Sequence, residues 1–301
     1  MLSFEKQFDP AYGRAVAVAD GILRVTARNP GPFTFRGTNS YVIGGANGCF
    51  VVDPGPDEPE HAVALAAAIG GRPVDAILLT HTHRDHTGSV GRLQAETFAP
   101  VIGGGPHRPA RPMLADEAGR MEASADMSIA FDRVLDDDEP LTLGGVAVTA
   151  IATPGHAANH LAFAIGTDGV LLSGDHVMAW STTVVAPPDG SMRDYMRSLY
   201  RLLARDERVY LPGHGGVVES PAAFVRGLID HRHGREAAIM ARLAAGDRHI
   251  TQIVAALYRD VDPRLHPAAG LSVLAHLEDL VARGMAATPG LASLTSAYTP
   301  T

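Results

Sequence analysis

Cysteine and lysine are almost missing from this 301-residue chain, which has one of each, Cys49 and Lys6. A single thiol leaves no disulfide framework and excludes the four-thiolate zinc site, so any metal would have to be held by nitrogen and oxygen. Cys49 itself, inside an apolar run, reads as a small buried side chain rather than a ligand or nucleophile. No stretch approaches the ~20 apolar residues that span a bilayer. The start, MLSFEKQFDP, lacks the basic residues and apolar core of a signal peptide. The expectation is a cytoplasmic protein that does not engage a membrane. A formal net charge of −8 offers no overall attraction to nucleic acid or anionic lipid.

Core-forming material is plentiful: 46% of the residues are hydrophobic and 19% charged, ordinary globular values. Short β-branched runs (SYVIGG, CFVVD, AILLT, VAVTAI, HLAFAI, GVLLS, RVYLP) alternate with Gly/Pro-rich turns. The stretches EPEHAVALAAAIGG, GSVGRLQAE and SMRDYMRSLYRLLAR read as helices between them, which together predict an α/β domain with helices on sheet faces. The pattern changes near residue 218. Residues 221–245 read as one long amphipathic helix with proline in its first turn, and two further helical patterns follow. We therefore expect a catalytic domain over 1–218 and a small, all-helical, winged-helix-like domain over 219–301. The stretch 103–138 is too long for an idle connection and is expected to flank the active site.

Polar chemistry is concentrated in THTHRDHTG, residues 80–88, directly after the apolar run AILL. It is either a polar loop capping a strand or a metal site. Alternate residues of an extended segment point the same way, so His81 and His83 can share one metal, while a turn lets Asp85 and His86 reach a neighbouring position. Three more residues follow apolar strands in tight glycine turns: His156 in ATPGH, Asp175 in LLSGDH and His214 in VYLPGH. Together they supply seven ligands: His81, His83 and His156 for one metal, Asp85, His86 and His214 for a second, with Asp175 bridging. Imidazole and carboxylate suit zinc, and manganese or iron equally. A bridging hydroxide would then be available near neutral pH, since a metal lowers the pKa of bound water to about 7.

The ordered set THTHRDHTG, TPGH, SGDH and LPGH resembles the metallo-β-lactamase superfamily, which implies an αββα sandwich with a two-metal site. Asp53 in FVVDPGP matches that family's early strand-end aspartate, which supports the metal-binding loop without binding metal. NPGPFTFRGTNSYVIG, SGDHVMAWSTTVV…DYMRSL and LIDHRHGREAAI resemble one subgroup, the beta-lactamase-like protein 2 group, whose C-terminal winged-helix-like domain matches the tail. Familiar β-lactamases of the best-known class carry cysteine where Asp175 stands, so antibiotic hydrolysis is not implied. The resemblance implies a two-metal-dependent hydrolase of a small ester, lactone or acyl thioester. Relatives in the subgroup also cleave single-stranded RNA, which makes RNA the alternative substrate. Eight arginines against seven acids between 220 and 290 give the tail no basic footprint. This argues against the third reading, a DNA-binding regulator with a vestigial core.

Asp85 has two prospects, as ligand and as proton carrier for the leaving group. His160 and His176 are candidates to orient a ligand from behind. Ser181, Thr182 and Thr183 read as a strand edge, His107, Arg108 and Arg111 as solvated, and Arg232 and Arg235 as ties between tail and sandwich. His231 and His233, two positions apart on a helix, point away from each other and are not ligands.

Overall fold

The computed structural model describes residues 2–115, 117–166 and 168–301; Met1, Asp116 and Thr167 lie outside the described residues, as do the side chains of Ala118, Arg120 and Glu122. Two sheets carry the molecule. The first holds β1 (Val16–Ala19), β2 (Ile22–Thr26), β3 (Asn39–Gly45), β4 (Gly48–Val52), β5 (Val74–Leu79), β6 (Val101–Gly103) and β7 (Arg133–Val134), in that order. Its first four strands pair antiparallel, and β4 through β7 pair parallel. The second sheet runs β12 (Val209–Pro212), β11 (Val170–Gly174), β10 (Leu161–Ile165), β9 (Val146–Ala152) and β8 (Pro140–Leu143), with only β11 and β12 parallel.

Strand residues divide between two cores with period two. Tyr41, Ile43, Phe50, Val52 and Leu78 of the first sheet meet Val148, Phe163, Ile165 and Leu172 of the second in a central layer. The alternate residues Val42, Val51, Ile77 and Leu79 face outward under α1 (Pro59–Ile69) and α3 (Val90–Thr97). On the far side, Ile151, Ala162 and Leu171 pack under α5 (Met192–Leu203) and the first half of α6 (Pro221–Ala244). The order is therefore helix, sheet, sheet, helix. It explains why the strands read as nearly unbroken apolar runs: both faces of each sheet are covered.

The second half of α6 leaves that layer. Ile239 and Leu243 join a separate core with α7 (Ile250–Leu257) and α8 (His266–Ala282), closed by the fully buried Tyr298. The tail also contains a two-residue ladder, β13 (Ala286–Ala287) against β14 (Thr299–Pro300). Sequence gives little sign of so short a pairing, since no periodicity can be read from two residues. Within 103–138 the chain forms α4 (Ala118–Ser124) and β7, joined by irregular segments. Among the described residues no helix is long and apolar enough to cross a membrane.

Candidate metal centre

The ends of four strands and the short helix α2 (Arg84–Thr87) converge at one edge of the sandwich. After β5 the chain stays extended through His81 and His83, then turns into α2, which carries Asp85 and His86. His156 follows β9, Asp175 follows β11, and His214 follows β12. Glycine is required where the last turn passes the others. A Cβ at Gly213 would lie 2.4 Å from Asp175 Oδ1 and 2.7 Å from the His86 ring, so a larger residue would displace two of the converging side chains.

All seven residues singled out by their pattern meet here. His83 Nδ1 lies 2.9 Å from His81 Nε2 and 3.0 Å from His156 Nε2. His214 Nε2 lies 3.2 Å from Asp175 Oδ2 and 3.3 Å from Asp85 Oδ2. His86 Nε2 and Asp175 Oδ1 are 3.5 Å apart, both buried, and neither has a hydrogen-bond partner among the described residues. Ligand atoms within 4.8 Å of one another group as His81–His83–His156, His81–His86–Asp175 and Asp85–His86–His214. Orphaned buried atoms facing each other are costly unless something sits between them, and this donor set of imidazoles and carboxylates suits a divalent cation.

What lies behind the rings fixes their orientation. His86 Nδ1 donates to Asp53 Oδ2 at 2.9 Å, His156 Nδ1 to the Val184 carbonyl at 2.7 Å and His214 Nδ1 to the Gly37 carbonyl at 3.2 Å. Thr80 spends its hydroxyl hydrogen on Asp53 at 2.7 Å, so its oxygen accepts from His81 Nδ1 at 3.0 Å. His83 is turned the other way, with Nε2 against Asp189 Oδ2 at 2.7 Å. Each of the five rings is thus anchored through its outer nitrogen and turns its inner nitrogen into the cluster, the arrangement of metal-ligating histidines. Asp53 accepts from three donors, the Thr80 N–H included, and holds a left-handed backbone angle of +49°, a strained conformation typical of functional sites.

The electrostatics divide the cluster in two. Burial and the neighbouring imidazoles push His81 and His156 below the usual histidine value. On the other side, Asp85 and Asp175 sit well below the usual carboxylate range despite burial, because His86 and His214 face them. The same carboxylates, working against burial, raise His214 to about 9. Asp85 is the most open of the acids, with its side chain 29% exposed, and Thr38 Oγ1 donates to it at 3.1 Å.

His160 touches the cluster from behind: its Nε2 accepts the Asp175 N–H at 3.2 Å, and its Nδ1 donates to Thr153 at 2.8 Å. The His176 ring does not reach the cluster. It packs on Tyr195, centroids 4.6 Å apart, and faces His160 at 5.8 Å. Three other expectations change. His107 is buried beside Thr82 (2.8 Å) and Asp189 (3.3 Å), and Arg111 joins Glu117 and Glu278, because the loop folds back on the sandwich and on α8 instead of standing in solvent. Ser181–Thr183 lie in an irregular segment, not a strand, and Thr183 is buried with its hydroxyl on the Asp175 carbonyl. Arg108 is exposed and donates to two backbone carbonyls. Asp189 was not flagged by the sequence at all. Its only signal is an acid beside Pro-Pro in APPDG.

Over the cluster lies a cleft of about 450 Å³, floored by His83, Asp85, His156, Asp175 and His214. Leu271 of α8 contributes to its wall, so the tail shapes the site.

Comparison with known proteins agrees with this geometry. Residues 33–214 match the family model of the metallo-beta-lactamase superfamily, and residues 250–290 match the beta-lactamase associated winged helix domain. The chain is 29% identical over 277 residues to a beta-lactamase-like protein 2 homolog of Drosophila melanogaster, covering 89% of this chain and 90% of that one. It is 29% identical over 224 residues to an Aspergillus fumigatus protein named atrochrysone carboxyl ACP thioesterase, covering 74% of this chain and 64% of that one. A metallo-beta-lactamase family protein of Thermus thermophilus superposes with a TM-score of 0.75 at 24% identity, over 95% of this chain and all of that one.

Proposed function

Since the chain belongs to the metallo-β-lactamase superfamily of metal-dependent hydrolases, we propose that it hydrolyses a small ester, lactone or acyl thioester at a centre of two divalent metals. The observation that carries this reading is the orientation of the five rings, each anchored on its outer nitrogen with the inner nitrogen turned into the cluster. His81, His83 and His156 would hold one ion, Asp85, His86 and His214 the other, and Asp175 both; zinc fits this donor set, as do manganese and iron. When bound, such ions supply Lewis acidity and a nucleophile at neutral pH.

The chain's own residues do the rest. Asp53 and Thr80 fix the planes of His86 and His81, so the cluster is organised before substrate arrives. Asp85, open to the cleft, carries a proton to the departing thiolate or alkoxide. Hydrolysis exchanges the acyl carbon's bond to sulfur or oxygen for a bond to a water oxygen, and the acyl half leaves as carboxylate. The thioesterase name of the Aspergillus relative supports the thioester choice. On this reading the domains divide at 218/219, the second being the winged-helix domain, and the enzyme works in the cytoplasm on a small molecule.

The test is metal analysis followed by assays on acyl thioesters, lactones, β-lactams, phosphodiesters and single-stranded RNA, with Asp175→Ala as control. The expected result is two metals per chain, turnover of an acyl substrate, and loss of both metal and turnover in the variant. Fewer than two metals, with turnover intact in Asp175→Ala, would overturn the proposal.

A further inference from the structure

Above its polar floor the cleft changes character. Phe33, Met121, Met178, Val184, Pro188 and Leu271 form its walls. Among the described residues that line it, Arg84 is the only arginine or lysine. Phosphate-rich or polymeric anions are held by several cations and several stacking rings, and these walls offer one arginine and one aromatic ring, Phe33. The volume, about 450 Å³, is that of a small-molecule site with a mostly apolar lining. Met121 and Met178 are buried, and methionine walls adapt to irregular apolar shapes. Leu271 is half-buried and sits on α8, one turn before Leu274 and Ala275, which are packed into the two cores behind it. Its position is therefore set by the docking of the tail on the sandwich.

We propose that the cleft receives an apolar acyl group as the acid half of the substrate, and that Leu271, supplied by the winged-helix domain, determines which acyl groups fit. This rests on the hydrolase reading above. The carbonyl carbon lies over the floor of histidines and aspartates, and the acyl chain runs along the methionine, valine and leucine wall. The leaving group points to the open side, where Phe33 is 53% exposed.

Two measurements test it together. The first is kcat/KM for acetyl, butyryl, hexanoyl and octanoyl thioesters. The second is binding of acetate and octanoate by calorimetry, which needs no turnover. Specificity should rise with chain length by up to about fourfold per methylene, the ratio that ~0.8 kcal/mol per buried CH₂ corresponds to. Leu271→Trp and Leu271→Gln should each lower the octanoyl-to-acetyl ratio at least about tenfold, and Leu271→Gln should weaken octanoate binding while leaving acetate binding unchanged. Turnover with a flat or falling chain-length profile, or an unchanged ratio in both Leu271 variants, overturns the acyl pocket and leaves the hydrolase reading standing. Selective octanoate binding, lost in Leu271→Gln, supports the pocket even where no thioester turns over, in which case only the thioester choice fails. No turnover combined with equal binding of acetate and octanoate overturns both.

Discussion

His83 Nε2 and Asp189 Oδ2 stand 2.7 Å apart, although 106 positions separate them in the chain. Asp189 is 8% exposed, and its second oxygen lies 3.3 Å from His107 Nε2. The two imidazoles hold its carboxyl well below the usual range despite burial. The carboxylate therefore fixes the ring that turns Nδ1, rather than Nε2, toward the cluster. Asp189→Asn keeps the shape and removes the charge. We expect metal affinity or kcat to fall about 10–100-fold, the usual cost of losing a carboxylate behind a metal-ligating histidine. Loss of one metal equivalent should accompany it, read by metal titration. Unchanged stoichiometry and rate would show that the contact is only structural.

Metal removal should destabilise the fold. A cation bound only by the native state adds ~2.7 kcal/mol at a free concentration of about 100 Kd. Without it, His86 Nε2 and Asp175 Oδ1 remain buried with no hydrogen-bond partner among the described residues. Treatment with chelator should lower the melting temperature by several degrees, and zinc or manganese should restore it. An identical melting curve before and after chelation, with metal loss verified, would contradict this.

Arg232 ties α6 to the site. It is 4% exposed, its Nη2 donates to the Thr183 carbonyl, and its guanidinium lies 5.1 Å from the centre of the Tyr195 ring. Thr183 in turn donates its hydroxyl to the Asp175 carbonyl at 2.8 Å. Arg232→Met leaves a buried carbonyl without its charged donor, which should cost about 1–3 kcal/mol by urea denaturation. Metal affinity should weaken as well, since the segment carrying Asp175 is released. Arg232→Lys should recover part of both.

Acid sensitivity follows from two histidines buried away from the cluster. Burial lowers His61 to about 4, and burial with Arg232, Arg235, His231 and Arg283 nearby lowers His276 to about 3. In the unfolded chain each titrates near ~6.5, so on acidification the unfolded state takes protons that the native state refuses. The stability is fully present above about pH 6.5 and is lost as pH falls toward the native values, at up to ~1.4 kcal/mol per pH unit per group. Melting temperatures measured between pH 7.5 and 4.5 should fall accordingly. His276→Phe should flatten the decline; an equally steep decline in that variant would assign the effect elsewhere.

The strands of the central layer were legible because each is apolar on both faces and ends in a glycine turn or a polar turn: AILL became β5, GVLLS became β11 and RVYLP became β12. The converging residues were legible for the same reason, since each follows such a strand. Asp189 was not, because its partner is remote and nothing periodic surrounds it. His107 was misread because a loop rich in Arg, Asp and Pro gives no sign that it folds inward. The strands β1 and β2 lie before the first strong apolar run and alternate too weakly to stand out, and β6 through β8 are too short or too polar to do so.

The cluster draws on both sheets, and its members span positions 81 to 214. Where the sheets meet, Asn39 at the head of β3 donates its N–H to the Gly213 carbonyl at 2.7 Å and its side chain to the Pro212 and Gly215 carbonyls. During synthesis the chain before His156 holds only His81, His83, Asp85 and His86 of the seven. The full set of seven exists only after β12 has emerged and docked against β3. On the metal-centre reading, cation binding would thus come late in biogenesis, after the two halves of the chain have found each other.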